Sequence, residues 1–360
     1  MRSLSGQTTC DIAVLGLGPA GAAAAAAAAR AGCRVIAVDR KAEAGVPVQC
    51  AEFVPSLITQ DAGSIDAARR QAITAMVTYV EHEPGDLTPD FHGTMICRAA
   101  FDKALVDEAM RAGATCIFGN AVRRAEADGT VHFASGASVT ARVLIGADGP
   151  HSVVGKAIGC VNRVVIESRQ VTVPLLAPHG ATDIFLSASI PGGYGWLFPQ
   201  GGRANLGVGV AAEHKPLLKE LLAALHARLV ALGRVGPEVL ALTGGSIPAG
   251  GLLKPIGRLG SASVLLAGDA AGLTNPITGA GISAAVTSGA MAGWAAAAIC
   301  EGDATAADSY REDLDDLFGP PLARALSRRA ALLRHFKTGS TPGAQALRDA
   351  WIAYPQYWAA

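Results

Sequence analysis

Two short stretches hold side chains able to move a proton or face an apolar substrate. Cys50 and Glu52 stand two apart in Pro47-Val48-Gln49-Cys50-Ala51-Glu52, and Tyr194 and Trp196 stand two apart in Gly193-Tyr194-Gly195-Trp196-Leu197-Phe198-Pro199. A thiol at position 50 can shape a pocket, give a proton or form a transient adduct. Glu52 can orient that loop or act as an acid. Tyr194 and Trp196 can line an apolar or aromatic pocket, with the phenol as a proton donor. The plainer readings are a small buried thiol and ordinary core aromatics. The eight histidines are scattered without metal-ligand spacing, so no metal site is expected.

Chemistry of this kind needs something to bind beside it, and three glycine-and-acid segments provide for that. Cys10 to Leu15 is an apolar run of strand length, followed at once by Gly16-Leu17-Gly18-Pro19-Ala20-Gly21. Alanines then continue as a helix to Arg30, Gly32 ends it, and Arg34 to Val38 is a second strand ending at Asp39. Strand, glycine turn, helix, strand and acid form the context in which GxGxxG binds a dinucleotide. Gly16 allows the tight turn, Gly18 lets backbone approach a pyrophosphate, and Gly21 lets helix and strand pack closely. The helix N-terminus offers free N–H groups to the phosphates, and Asp39 offers a carboxylate to a ribose. Alanine is the best helix former and brings the helix close to the sheet.

The second segment is the strand Ala141 to Ile145 running into Gly146-Ala147-Asp148-Gly149-Pro150. The third is Val264 to Ala267 running into Gly268-Asp269-Ala270-Ala271-Gly272, then Asn275-Pro276 and Thr278-Gly279-Ala280-Gly281-Ile282 before a helix of small residues. Asp148 and Asp269, at strand ends, can hold ribityl or ribose hydroxyls in the sheet crevice. Backbone N–H groups of the Gly279-Ala280-Gly281 turn can stabilise negative charge on a reduced flavin. The three segments in this order point to FAD.

That order resembles the flavoprotein class that includes p-hydroxybenzoate hydroxylase, geranylgeranyl reductases and flavin-dependent halogenases. Cys97-Arg98-Ala99-Ala100-Phe101-Asp102-Lys103-Ala104-Leu105 resembles the class's R-x-x-F-D-x-x-L helix, which implies that Arg98 lies near the FAD. The Cys50 segment and the Tyr194–Pro199 strand resemble those of geranylgeranyl reductases, especially the archaeal type, and imply a cysteine near the flavin. The resemblance also implies cofactor contacts for Pro19, Ala20, Arg40, Val122, Gly149, Gly268, Pro276 and Ile282. Phe53 departs from it, standing where a small residue is expected, and a single tryptophan replaces the halogenase pair.

The implied activity is an FAD-dependent oxidoreductase that reduces a C=C bond of a hydrophobic, isoprenoid-type substrate. The alternative is a monooxygenase hydroxylating an aromatic group, including one on a protein during quinone-cofactor maturation. No second GxGxxG is present, so electrons are expected from transient NAD(P)H or another donor.

The implied fold is α/β. A Rossmann-type FAD-binding domain is expected over 1–68, 95–159 and 254–300, an inserted antiparallel-sheet substrate domain over 69–94 and 160–253, and C-terminal helices over 301–360. Strand-like alternation over Ala72 to Glu83, Val161 to Leu176, Thr182 to Ser189 and Ala204 to Ala211 supplies that second sheet. Pro216 to Leu232 reads as its covering helix.

Lys plus Arg and Asp plus Glu are 30 each, so no net field favours nucleic acid. The seven cysteines include no CxxC pair, which argues against a disulfide framework or zinc site and suits a reducing cytoplasm. Two uncharged windows, Ile12 to Ala29 and Ala270 to Cys300, have the length of membrane spans, but their Gly, Ala, Ser and Thr content suits buried helices better. Asp11 before the first window and the early glycines argue against a leader peptide. Leu322 to Lys337 is basic, with Leu322, Leu326, Leu333 and Phe336 near one helical face. It reads first as a solvated face, and otherwise as a contact with a membrane or partner protein.

Overall fold

The computed structural model describes residues 4, 6–55, 66 and 68–359. Two eight-stranded sheets organise the chain. The first contains β1 (Gln7–Leu15), β2 (Val35–Val38), β6 (Thr115–Ile117), β9 (Ser138–Gly146), β15 (Ile256–Leu259) and β16 (Ala262–Leu266), in the order β15-β16-β9-β1-β2-β6, and a hairpin of β7 (Val122–Ala125) and β8 (Thr130–Phe133) pairs onto β9. β1, β2, β6, β9 and β16 run parallel. Their apolar runs are buried on both faces, as parallel sheets require.

Helix α1 (Pro19–Arg30) is buried from Ala20 to Ala29. It lies between this sheet, α2 (Arg98–Arg111) and the later helix of small residues, numbered α5 below (Ile282–Glu301). A Cβ at Gly289 would overlap the Ala20 carbonyl oxygen, and one at Gly293 would overlap that of Ala24. The two small-residue segments of the sequence are therefore one backbone-close helix pair. By length and composition Ile282–Glu301 could cross a membrane, but half of its most apolar window is buried in the fold. The short helix α3 (Val153–Ala157) follows β9.

The second sheet contains β3 (Phe53–Pro55), β4 (Arg69–Val80), β5 (Asp86–Ile96), β10 (Val165–Pro174), β11 (Ala181–Leu186), β12 (Gly195–Pro199), β13 (Arg203–Ala211) and β14 (Ala241–Pro248), in the order β14-β10-β13-β12-β11-β4-β5-β3. It is antiparallel except where β11 runs parallel to β4. α4 (Leu218–Ala231) covers one face, burying Leu218, Leu222, Leu225 and Leu229 at helical spacing against Val171, Val173, Leu206 and Val208.

One expectation needs correction, and one strand was not anticipated. Phe53–Pro55 was expected in the first unit, within 1–68, but pairs with β5 in the second sheet; the rest of that boundary, 56–65 and 67, lies outside the described residues. Strand β5, interrupted by Pro89 and Gly93, has too little alternation to read as a strand, and only its pairing with β4 reveals it. After α5, the long helix α6 (Ala306–Lys337) and short helices α7 (Ala344–Asp349) and α8 (Pro355–Trp358) fold back. Leu347, Trp351 and Tyr357 pack with Met76, Ile184, Trp196 and Phe198 on the face of the second sheet opposite α4. Tyr310 anchors α6, its buried hydroxyl donating to the Leu266 carbonyl at 2.7 Å.

Candidate active site

A cavity of about 960 Å³ lies between the sheets. That is near the top of the ~300–1,000 Å³ range of ligand pockets. One end is the turn from β1 into α1. Gly16 has φ +99°, a left-handed conformation that glycine adopts without strain, and a Cβ there would strike the Ala147 carbonyl. Gly18 caps α1 with no side-chain hydrogen bond, and nothing lies within 4 Å of where its Cβ would stand. The α1 N-terminus thus keeps its N–H groups and clear space beside them, the arrangement an anion requires. Asp39 braces this turn: Oδ2 accepts from the Leu17 N–H at 2.6 Å and Oδ1 from the Lys41 N–H at 2.8 Å. Arg40 and Val122 line the same end; the 119–122 segment is held there by Gly119 and Asn120 N–H groups donating to the Lys41 and Asp39 carbonyls.

Midway along, Arg98 forms a two-point ion pair with Asp102, at 2.9 and 3.0 Å, and Asp102 is 1% exposed. Burial opposes the Arg98 charge, but Asp102 and the neighbouring Cys50 thiol outweigh it and hold the guanidinium firmly protonated. Glu52 adopts φ 67°, unusual for a residue with a side chain. Its Oε1 accepts from the Arg98 N–H at 2.9 Å, and its Oε2 from Gln200 Nε2 and Asn205 Nδ2, each at 3.2 Å. Helix α2 has no cap from its own Cys97 side chain, so this distant carboxylate caps it. Of the two roles expected for Glu52, the geometry is that of a loop organiser.

Gln170 connects two of the other expected residues. Its Oε1 accepts from Trp196 Nε1 at 3.0 Å, and its Nε2 donates to the Cys50 carbonyl at 3.2 Å. Gln170 lines the cavity but stands in a strand pattern with no motif around it, so the sequence offers no signal for it. Cys50 is half-buried on the cavity wall, and its Sγ accepts from the Glu52 N–H at 3.2 Å.

The far end is the loop from Thr274 to Gly281. Asp269 Oδ1 accepts from Thr274 Oγ1 at 2.8 Å; burial pushes the Asp269 carboxyl up, while the Thr274 hydrogen bond and the Arg98 charge pull it down. Asn275 Oδ1 accepts from the Ile277 and Thr278 N–H groups. The Tyr194 hydroxyl donates to the Thr278 carbonyl at 2.6 Å, and burial pushes its pKa up. The Tyr194 hydroxyl, read from the sequence as a candidate proton donor, thus has its proton on the loop in this structure. Gly281 caps α5 without a side-chain bond, a second helix N-terminus open on the cavity.

The Asp148 carboxylate accepts from Ser152 Oγ at 2.5 Å and the Val153 N–H at 2.7 Å, organising the start of α3. Burial raises its pKa and these bonds lower it. Asn162 Nδ2 donates to both the Pro150 and Asp269 carbonyls, at 3.1 and 2.8 Å, joining the two acid-glycine turns; it was not anticipated.

The cavity wall brings together Gly16, Gly18, Pro19, Ala20, Asp39, Arg40, Cys50, Glu52, Arg98, Val122, Asp148, Gly149, Tyr194, Trp196, Asp269, Gly279, Ala280, Gly281 and Ile282. Gly21, Gly268 and Pro276, expected to touch the cofactor, are not on it. Gly21 and Gly268 instead serve packing, since a Cβ at Gly21 would overlap the Gly16 carbonyl and one at Gly268 would crowd Ala20 and Ala285. Pro276 turns its carbonyl toward α6. Among the described residues no cluster suited to a metal ion occurs. The helix starts free of side-chain caps, the open space at Gly18 and the volume of the cavity fit an extended dinucleotide such as FAD.

The model of the FAD binding domain family matches residues 9–174. In fold, the chain superimposes on a geranylgeranyl bacteriochlorophyll reductase-like protein from Thermoplasma acidophilum with a TM-score of 0.81, covering 98% of each chain at 24% identity. It also superimposes on PqsL, a probable FAD-dependent monooxygenase from Pseudomonas aeruginosa, with a TM-score of 0.70 at 19% identity, covering 95% of this chain and 99% of that one. Likeness at these identities speaks to fold alone. Digeranylgeranylglycerophospholipid reductase 2 of Methanopyrus kandleri is 36% identical, with 88% of this chain and 85% of that protein covered. With a relative so similar over most of both sequences, the chain belongs to the digeranylgeranylglycerophospholipid reductase family and is an FAD-dependent oxidoreductase.

Proposed function

We propose that this enzyme reduces carbon–carbon double bonds of an isoprenoid substrate. One observation carries the reading: the cavity wall that starts at the α1 turn continues into an apolar arm of Phe53, Met76, Phe91, Ile184, Trp196 and Phe198. Phe53 stacks on Phe91 with ring centroids 5.8 Å apart and meets Phe198 in a tilted contact at 5.6 Å, so the residue that departs from the family pattern helps to build this arm. A polyprenyl chain offers little but apolar surface, and each buried methylene contributes about 0.8 kcal/mol.

The residues divide the work. Gly16, Gly18, Pro19, Ala20, Asp39, Arg40 and Val122 would hold the adenosine diphosphate half of FAD. Arg98, Asp148, Gly149 and Asp269 would hold its middle, and Gly279 to Ile282 would face the ring. Bound FAD, once reduced, supplies the hydride. Cys50, on the cavity wall, would give the proton, since the Tyr194 and Trp196 hydrogens are already donated to the Thr278 carbonyl and to Gln170. Trp351 and Tyr357, both buried, wall the apolar arm. Electrons reach FAD from transient NAD(P)H or a reduced carrier, and the setting is cytoplasmic.

The test is an anaerobic single turnover. Protein reduced with dithionite is mixed with a geranylgeranyl lipid, flavin absorbance is followed, and the lipid is weighed by mass spectrometry. Reoxidation coupled to a gain of two mass units per double bond is expected. Lipid left unchanged, with an aromatic compound hydroxylated once oxygen is admitted, would instead establish the monooxygenase reading.

A further inference from the structure

The basic stretch of α6 hides one charge that its composition does not reveal. Arg329 is 5% exposed, whereas Arg324 and Arg334 on the same helix are exposed. Its Nη1 donates to the Gly192 carbonyl at 2.6 Å and lies 3.4 Å from that of Pro276, while its Nε has no partner among the described residues. The carboxylate it senses is Glu213, through space, and burial pulls its pKa down to about 10, which leaves it charged at neutral pH. A buried cation without an ion-pair partner is costly.

Both of its acceptors border the active site. Pro276 lies within the Thr274–Gly281 loop, and Gly192 precedes Gly193 and Tyr194, both on the cavity wall. Tyr194 holds the Thr278 carbonyl. The carbonyls at 276 and 278 are therefore both bound from outside the loop. Arg329 itself is not on the cavity wall; it stands behind the loop.

We propose that Arg329 is a positioning residue for this loop and the fixed positive charge behind it, and that its charge makes bound FAD easier to reduce. The inference rests on the assignment of Gly279 to Ile282 to the flavin ring. Reduction adds negative charge there, and a cation inside a low-dielectric fold acts beyond contact distance.

The experiment is an anaerobic dye-referenced titration of FAD-loaded protein. Arg329→Gln keeps a hydrogen-bond donor without the charge, and Arg329→Met, a second neutral variant, removes both. Each is expected to stay yellow and to lose at least tenfold in the reduction equilibrium constant, about 30 mV for a two-electron couple. Arg329→Lys, which keeps the charge, is expected to stay within about threefold of wild type. A folded, yellow neutral variant with the wild-type potential overturns the proposal, and so does a Lys variant as low as the neutral ones. Wild-type protein that binds FAD without any protection of the Gly279–Gly281 amides from exchange strikes instead at the assignment beneath it.

Discussion

Glu52 caps the helix that begins at Arg98, forty-six residues away, with its Oε1 2.9 Å from the Arg98 N–H. The bond joins the Cys50 loop to the helix that supplies the Arg98–Asp102 ion pair. Glu52 also takes φ 67°, so the loop holds a strained backbone that these hydrogen bonds must offset. Removing the carboxylate releases three donors at once.

Glu52→Ala is therefore expected to cost about 1–3 kcal/mol of stability, the loss of a cap and of the hydrogen bonds from Gln200 and Asn205, the latter keeping its bond to the Ala51 carbonyl. Thermal unfolding of the holoenzyme measures this. Glu52→Gln is expected to lie between, because an amide oxygen can still accept from the Arg98 N–H. If Glu52 were the proton donor, Gln would abolish turnover with little change in melting temperature, and that outcome would refute the structural role.

Cys50→Ala is expected to bind FAD normally and to be reduced normally, but to lower kcat by roughly a hundredfold or more, the scale of a lost general acid. Cys50→Ser restores a hydroxyl and recovers part of the rate. Stopped-flow measurement of flavin reduction and reoxidation separates the two half-reactions. A Cys50→Ala enzyme that turns over like wild type removes the thiol from the chemistry.

Most of the cofactor end was legible because its physics is local. Gly16, Gly18 and Asp39 lie within a single strand-turn-helix-strand unit; the glycines follow from backbone requirements visible in the sequence, whereas Asp39 was read there for a ribose and not as the brace of the turn. Asp148 and Asp269 could be read as acids at strand ends, but not as organisers of the turns around them. What the sequence hid depends on distant pairings. Gln170 matters because Trp196 and Cys50 reach it from other elements, Asn162 because it spans two turns, and Arg329 because α6 folds back on Gly192 and Pro276. A basic helix face reads as solvated until the packing of its neighbours is known.

Asn162→Ala tests that distant bridge. It leaves the Pro150 and Asp269 carbonyls without their shared donor, costing roughly 1–2 kcal/mol in stability. FAD affinity is expected to fall, since the two acid-glycine turns are no longer fixed to each other. Asn162→Asp should be worse than Ala because it sets a negative charge against two carbonyls. Fluorescence titration of apoprotein with FAD reads the effect, and unchanged affinity in both variants would show that the turns hold their spacing without it.

Two glycine substitutions separate the cofactor role from the packing role. Gly18→Val adds a side chain in open cavity beside the α1 N-terminus, with nothing of the protein within 4 Å of its Cβ. The fold should survive and FAD should be excluded, giving a colourless protein with a near-wild-type circular dichroism spectrum. Gly289→Val forces a side chain into the Ala20 carbonyl, between two helices with no room to part without opening the sheet beneath them. Overpacking of this kind costs about 1–3 kcal/mol and occasionally more, so the expected result is poor folding in the presence or absence of FAD. A yellow Gly18→Val protein would mean that the phosphates do not lie over that turn, and the first helix of the fold would lose its reason for beginning with glycine.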